Sequence, residues 1–151
     1  MYKKILVPLD GSEFSECILS HVKAVATGCQ VPEVMLLYVV EPVRQPARAH
    51  MDSSVLEQAH RDSISSAKDY LSRVASDLRQ SGVATETMVV EGNAAEQILE
   101  YADKNQVDLI MMSTHGRSGI ARWAAGSVTD RVLRHAVAPV LVAAPAACRV
   151  S

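Results

Sequence analysis

Aromatic side chains and net charge are both scarce in this sequence, and each shortage excludes a class of partner. Phe, Trp and Tyr make up 4% of the 151 residues, so the base-stacking surface of a single-strand nucleic-acid binder is not expected. The formal net charge of −2 provides no basic surface for nucleic acid or for an anionic membrane. We therefore expect neither nucleic acid nor a membrane as a partner.

Cysteine and long hydrophobic runs are scarce as well. The three cysteines, Cys17, Cys29 and Cys148, are odd in number and form no C-x-x-C pair, so neither a disulfide framework nor a zinc cluster is expected. Reduced thiols in a cytoplasmic protein are the simplest interpretation. The first apolar run already contains Pro8 and stops at Asp10, and we expect neither a signal peptide nor a transmembrane span.

Apolar residues are abundant, at 48%, and they fall into short runs. A chain of this length fits one domain, which we place over residues 1–151. There are five short apolar runs, and most of them are continuously apolar, as is typical of strands buried on both faces of a parallel sheet. They cover residues 5–9, 34–40, 87–90, 108–112 and 139–143.

Four amphipathic stretches alternate with these runs and predict helices over residues 12–28, 54–80, 94–105 and 127–135. Ser12 is a suitable N-cap for the first helix. Its predicted buried face consists of Phe14, Ile18, Val22 and Val25. The predicted buried face of the fourth helix consists of Val128, Val132 and Leu133. The alternation predicts an α/β fold, a doubly wound parallel sheet with helices on both faces.

Residues 41–53, between the second strand and the second helix, show no pattern and contain two prolines. We interpret this segment as a mobile surface loop.

In a doubly wound sheet, ligands bind beyond the carboxyl ends of the strands where strand order reverses. The segment that follows the fourth strand, residues 113–127, is the most informative at that edge. Gly116 and Gly126 would let a backbone approach phosphate oxygens, and a helix N-terminus suits an anion. Arg117 and Arg122 would add positive charge. The alternative is that the glycines only shape a turn and Ser127 only caps its own helix. Short glycine patterns leave both interpretations open.

Five segments together resemble the universal stress protein family over essentially the whole length: residues 5–12, 37–40, 108–117, 126–129 and 138–142. ATP-binding members of that family carry the pattern G-x2-G-x9-G-[ST]. Gly116, Gly126 and Ser127 match it, and Ser113 stands at the first glycine. Because serine is small, we expect the site to survive. The resemblance implies a five-stranded parallel sheet of order 3-2-1-4-5.

The resemblance also implies an adenine-nucleotide site, with ATP as the ligand and Mg²⁺ as its accompanying ion. Asp10 would lie near the ribose or adenine, Val39 would offer backbone hydrogen bonds to the adenine edge, and Met112 and Ser113 would line the ribose. The phosphates would be surrounded by Gly116, Arg117, Gly126, Ser127 and Val128. The full predicted set is Pro8, Leu9, Asp10, Val39, Met112, Ser113, His115, Gly116, Arg117, Gly119, Gly126, Ser127, Val128 and Thr129.

Enzyme signatures are missing from the sequence: there is no G-x-S-x-G, H-E-x-x-H or G-x4-G-K-[ST] motif. We therefore expect no dedicated enzyme, while slow ATP hydrolysis stays open. Two hypotheses remain, a module that responds to ATP in stress response or regulation, and a nucleotide-free dimeric interaction protein of the same fold. In both, residues 138–143 would form a bare edge strand, and the resemblance suggests that it pairs with its copy in a homodimer.

Overall fold

The computed structural model describes residues 1–43, 52–114 and 128–144, and within these ranges five parallel strands form one sheet. The strand order is β3-β2-β1-β4-β5, and every neighbouring pair is parallel. The predicted fold class and strand order are confirmed. The strands are β1 (Lys4–Leu9), β2 (Glu33–Val40), β3 (Thr85–Glu91), β4 (Leu109–Ser113) and β5 (Val140–Ala143).

Helices cover both faces of this sheet. The helices of the described ranges are α1 (Glu13–Glu16), α2 (Leu19–Gly28), α3 (Ser53–Gln80), α4 (Ala94–Lys104) and α5 (Val128–His135). Ile5 and Val7 pack with α2 and α3 on one face, whereas Leu6 packs with α4 and α5 on the other. Alternate side chains of a strand point to opposite faces. Both faces of β1 are therefore buried, which explains its continuous apolar run.

Short polar side chains mark where helices begin. The Ser12 hydroxyl accepts a hydrogen bond from the Ser15 amide at 3.1 Å, which confirms Ser12 as the predicted N-cap. Asp52 accepts from the Ser54 amide at 3.3 Å, and Asn93 accepts from the Glu96 amide at 3.2 Å. Each cap satisfies an amide that the helix itself leaves unpaired and contributes about 1 kcal/mol.

The first predicted helix is broken in two, which corrects its expected buried face. The structure has α1 end at Glu16 and α2 begin at Leu19, while Phe14 is 49% exposed. Ser15 takes the buried position in α1, and its hydroxyl donates to the Ser12 carbonyl at 2.9 Å. Ile18 and Val22 are buried as predicted, because α2 restarts the helical period.

The fourth predicted helix faces the sheet differently from our expectation. Val132 is fully buried, but Val128 and Leu133 are 37% and 40% exposed. Thr129, one turn before Val132, occupies the second buried position. The prediction was wrong for the two exposed residues because this helix buries a narrow stripe.

Two further expectations can be compared with the structure: the mobile loop over residues 41–53 and the reduced thiols. Most of the predicted loop over residues 41–53 lies outside the described residues, and Ser53 already belongs to α3. Cys29 is a free thiol, but Cys17 is disulfide-bonded, so the expectation of reduced thiols is wrong for Cys17. No helix in the described part of the chain is long and apolar enough to cross a membrane.

Candidate functional site

The strand order reverses between β1 and β4, at the centre of the sheet. The chain leaves β1 into α1 and α2 on one face, whereas α5, which precedes β5, packs on the other. A crevice is expected at the carboxyl ends of two strands whose connections diverge in this way. Of the predicted site residues, Asp10 follows β1 and Ser113 ends β4, so the topology brings both to this edge.

Hydrogen-bonded pairing between β1 and β4 stops short of that edge. The registered pairs are Ile5 with Leu109 and Leu6 with Ile110, whereas pairing of β1 with β2 continues to Leu9. The Lys4 carbonyl accepts from the Asp108 amide at 3.0 Å, so alternate residues of β1, Pro8 included, face β4. Proline has no amide hydrogen, and Pro8 therefore cannot extend the ladder.

Asp10 is held in a tight turn at the end of β1. Its Oδ1 atom accepts hydrogen bonds from the amide of Ser12 at 2.9 Å and from the Ser12 hydroxyl at 2.6 Å. Gly11 between them has a φ of +83°, which glycine adopts without strain. The Tyr38 hydroxyl donates to the Asp10 carbonyl at 3.2 Å. The turn is thereby fixed to both α1 and β2, with Asp10 exposed at the edge.

Two tyrosines beneath this turn were missed by sequence reasoning. The rings of Tyr38 and Tyr70 meet edge to face, with centroids 6.0 Å apart and an interplanar angle of 72°. Burial and the neighbouring Glu16 carboxylate raise the pKa of Tyr70 well above its ordinary value, so the phenol stays neutral. The available signal was Tyr38 itself, an aromatic residue within the apolar run of β2, two residues before the strand ends.

Ser113 connects three elements at the end of β4. Its hydroxyl is buried and donates to the Phe14 carbonyl in α1. The Ser113 carbonyl accepts from the Thr129 hydroxyl, at the start of α5, at 3.3 Å. The next residue, Thr114, donates its amide to Ala143 in β5 at 3.0 Å. The end of β4 is thus bonded to α1, α5 and β5.

Val39 presents its backbone, rather than its side chain, to the same edge. The Val34 amide donates to Ala84 and the Val40 carbonyl accepts from Gly92, so even-numbered residues of β2 face the β3 side. Val39 therefore directs its carbonyl toward the β1 side, one residue beyond the last registered pair, Leu9 with Tyr38. This orientation fits the expected role of Val39, a backbone hydrogen bond to the adenine edge.

Of the remaining predicted residues, some are buried, Val128 is partly exposed, and the others lie outside the described residues. Leu9 and Met112 are 4% and 5% exposed, so their side chains belong to the core. Val128 lies partly exposed at the first residue of α5. In the described part of the chain no group of three or more His, Cys, Asp or Glu side chains could hold a metal ion. Outside the described residues lie His115, Gly116, Arg117, Gly119, Gly126 and Ser127.

Comparison with known proteins finds a matching family model, similar sequences and similar solved structures. The model of the Universal stress protein family matches residues 1–144. Universal stress protein MJ0577 of Methanocaldococcus jannaschii is 33% identical, with 94% of each chain covered. A solved structure of MJ0577 superposes with a TM-score of 0.79 over 95% of this chain and 96% of that one. Universal stress protein UspA from Lactobacillus plantarum is 28% identical, with a TM-score of 0.77 over 93% and 97% of the chains.

Two more distant structures contain nucleotides. A universal stress protein in complex with cAMP is 22% identical with a TM-score of 0.64, over 95% of this chain and 97% of that chain. A universal stress protein from Archaeoglobus fulgidus in complex with dAMP is 20% identical with a TM-score of 0.62, over 93% and 97%. At these identities the likeness shows a shared fold.

Proposed function

This chain belongs to the universal stress protein family, and on that premise we propose that it binds an adenine nucleotide, ATP, at the carboxyl edge of β1 and β4. The bound nucleotide would make it a regulatory module of the stress response. Binding of cAMP and dAMP by two distant relatives of the same fold supports an adenine nucleotide as the ligand class.

One observation carries the proposal: α1 and α5 both bond to Ser113 at the end of β4. Its hydroxyl is bonded to Phe14 in α1, and its carbonyl is bonded to Thr129 in α5. The turn after β1 and the start of α5 are thereby held on either side of the end of β4. A nucleotide between them would meet the Asp10 turn on one side and a helix N-terminus on the other, and the latter suits phosphate.

The chemistry of the edge fits the parts of ATP. The exposed Asp10 carboxylate can accept hydrogen bonds from ribose hydroxyls, and the Val39 carbonyl can accept one from the adenine amino group. We place the phosphates at the segment before α5, because Gly116, Gly126 and Ser127 match the pattern of the ATP-binding family members. Mg²⁺ would accompany the triphosphate through phosphate oxygens and water, since Mg²⁺ retains several of its waters in such sites.

Calorimetric titration of the purified protein with ATP and Mg²⁺ tests the proposal, with AMP, cAMP and GTP as comparison ligands. We expect saturable binding of ATP and much weaker binding of GTP, whose guanine lacks the amino group at the matching position. Chromatography of the supernatant after denaturation would reveal nucleotide that copurifies. If no adenine nucleotide binds at millimolar concentration and none is released, the nucleotide-free interaction protein becomes the better account.

We also propose that β5 pairs with its copy in a homodimer. The Pro139 carbonyl accepts a hydrogen bond from Ile110 in β4, and the Ala143 carbonyl accepts one from Thr114 just after it. Val140 and Val142 therefore direct their amides away from β4. Val142→Pro removes one outward donor without breaking the β4–β5 ladder, and we expect it to weaken the dimer. Light scattering at micromolar concentration measures the effect. A wild-type protein that is monomeric under these conditions would refute the dimer.

We also propose a cytoplasmic location. It rests on the interpretation of the thiols as reduced, which holds for Cys29 but not for Cys17. Fractionation of cells that express the full chain, followed by detection with a specific antibody, tests it. We expect the protein in the cytosolic fraction. Recovery of most of the protein outside the cell or with the membrane fraction would contradict this location.

A further inference from the structure

We propose that Ser113 is a positioning residue that holds the β1–α1 turn in its nucleotide-binding geometry, an inference that rests on the proposed function. The observation is the hydrogen bond from its buried hydroxyl to the Phe14 carbonyl, a contact that spans 99 positions of sequence. The family pattern has glycine at this position, and glycine has no side chain that could make the contact. Ser113 therefore makes a structural hydrogen bond that a glycine at this position could not make.

The side chain of Ser113 lies on the α1 side of the sheet. Leu109 and Met111, which precede it at even spacing on β4, belong to the core beneath α2 and α3. Met112 belongs to the opposite core. Alternation along the strand therefore directs the Ser113 hydroxyl toward α1, in agreement with its bond to Phe14. The hydroxyl hydrogen is committed to the Phe14 carbonyl, so this side chain has no hydrogen left to donate to a ribose.

The hydroxyl fixes the far end of the turn that presents Asp10. At the near end, Tyr38 donates to the Asp10 carbonyl, and in the middle Ser12 donates twice to the Asp10 carboxylate. The contact of Ser113 with Phe14 adds the last anchor, on the strand that borders the crevice. A turn anchored at both ends is already ordered before ligand arrives, so binding does not have to supply that ordering free energy.

Loss of the hydroxyl should therefore loosen the turn and weaken nucleotide binding. Ser113→Ala removes the donor while keeping the β carbon, and Ser113→Gly restores the family residue. We expect both variants to bind ATP about tenfold more weakly than wild type, the scale set by one lost ordering contact. We also expect faster amide hydrogen exchange over residues 12–16 in the nucleotide-free protein, with the exchange of β2 unchanged.

Thr85→Val is the matched control. Thr85 is equally buried, and its hydroxyl donates to the Val83 carbonyl at 2.9 Å, at the amino end of β3 and away from the site. The control removes a buried hydroxyl-to-carbonyl hydrogen bond of the same kind. We expect it to lower thermal stability as the Ser113 variants do, while its ATP affinity and the exchange of residues 12–16 stay at wild-type values.

The outcomes separate this inference from the proposed function. If Ser113→Ala and Ser113→Gly bind ATP as tightly as wild type, or tighter, the positioning role is refuted although ATP binding stands. If the Ser113 variants and Thr85→Val lose ATP affinity to the same extent, the loss reflects general stability, and the positioning role is again refuted. If the wild type binds no adenine nucleotide, the proposed function fails. The exchange of residues 12–16 then still shows whether Ser113 anchors the turn.

Discussion

The β1–α1 turn and the β3–α4 turn leave the same edge of one sheet with nearly the same local chemistry. Each contains a glycine of positive φ, +83° at Gly11 and +137° at Gly92. Each begins its helix with a short polar N-cap, Ser12 in one and Asn93 in the other. Local sequence alone does not distinguish the two turns as parts of a binding site, so the difference between them must come from their neighbours.

The neighbouring strand covers the β3–α4 turn with a carboxylate. Glu41, which follows β2, accepts a hydrogen bond from the Ala94 amide at 3.2 Å. Arg131 of α5 contacts Asn93 and Glu96, each at 3.5 Å. The N-terminus of α4 is thus occupied by a side chain that reaches it from the end of β2.

At the β1–α1 turn the neighbouring strand contributes Ser113, whose hydroxyl is bonded to a carbonyl of α1. Two similar turns thus differ because strand order decides whether a carboxylate or a hydroxyl stands next to them.

The largest expected effect comes from Gly126→Val, which should reduce ATP affinity more than a hundredfold. Gly126 matches the third glycine of the family pattern, and a β-branched side chain there would occupy the space proposed for the phosphate. Ser127→Ala should be milder, since it removes one hydroxyl and a cap of about 1 kcal/mol. Titration calorimetry measures both. Equal affinities for Gly126→Val and wild type would remove this segment from the site.

Ser12→Ala and Asn93→Ala compare the two turns directly. Each removes an N-cap, so each should lower the free energy of unfolding by about 1 kcal/mol in a denaturant titration. Ser12 also bonds the Asp10 carboxylate, and we expect its variant alone to lose ATP affinity, by about tenfold. A similar loss of affinity in Asn93→Ala would show that the two turns are not functionally distinct.

Asp108→Asn changes the opposite, amino edge of the sheet. Hydrogen bonds from the amides of Lys3 at 2.7 Å and Lys4 at 2.9 Å hold the pKa of Asp108 below its ordinary value. A carboxyl with a lowered folded pKa stabilises the fold above its unfolded pKa, about 3.9, and loses that contribution as pH falls through the folded pKa. We expect a loss of about 1 kcal/mol at neutral pH, with no change in ATP affinity.

The pH dependence of this variant provides the check. Denaturant titrations between neutral pH and pH about 2 should show the difference from wild type shrinking below pH about 4. A difference that stays constant across this range would mean that the charge of Asp108 contributes nothing.

The smallest expected effect is that of Glu41→Gln at the β3–α4 turn. It removes the charge at the N-terminus of α4 and keeps an amide oxygen that can accept from Ala94, so stability should fall by about 0.5 kcal/mol. ATP affinity should stay within about twofold of wild type, because the turn lies outside the site. A large gain in affinity would indicate that this carboxylate competes with nucleotide and that the second turn is also a binding site.

The sequence predicted the fold well because continuous apolar runs and polar caps are local signals. Ser12 was identified as an N-cap from its own neighbourhood, and β1 from an apolar run that reflects burial on both faces. The strand order came with the family resemblance. The break between Glu16 and Leu19 was not predicted, because the apolar spacing continues across it and gives no sign of an interruption.

The sequence predicted at which edge of the sheet the candidate site lies, but not the hydrogen bonds within the site. Asp10 and Ser113 were assigned correctly to neighbouring strand ends, since topology determines that placement. The bonds from Tyr38 to Asp10 and from Ser113 to Phe14 join residues far apart in sequence, and no local pattern encodes such pairs.

Backbone amide chemical shifts recorded during titration with ATP and Mg²⁺ test the central claim most directly, because they report both binding and location. We expect the shifts to concentrate at residues 10–15, 39–40 and 113–114 and at the start of α5. The β3–α4 turn around Asn93 should stay unchanged and serves as the internal reference. An absence of shifts at millimolar ATP, or shifts confined to the β3–α4 turn, would contradict the account.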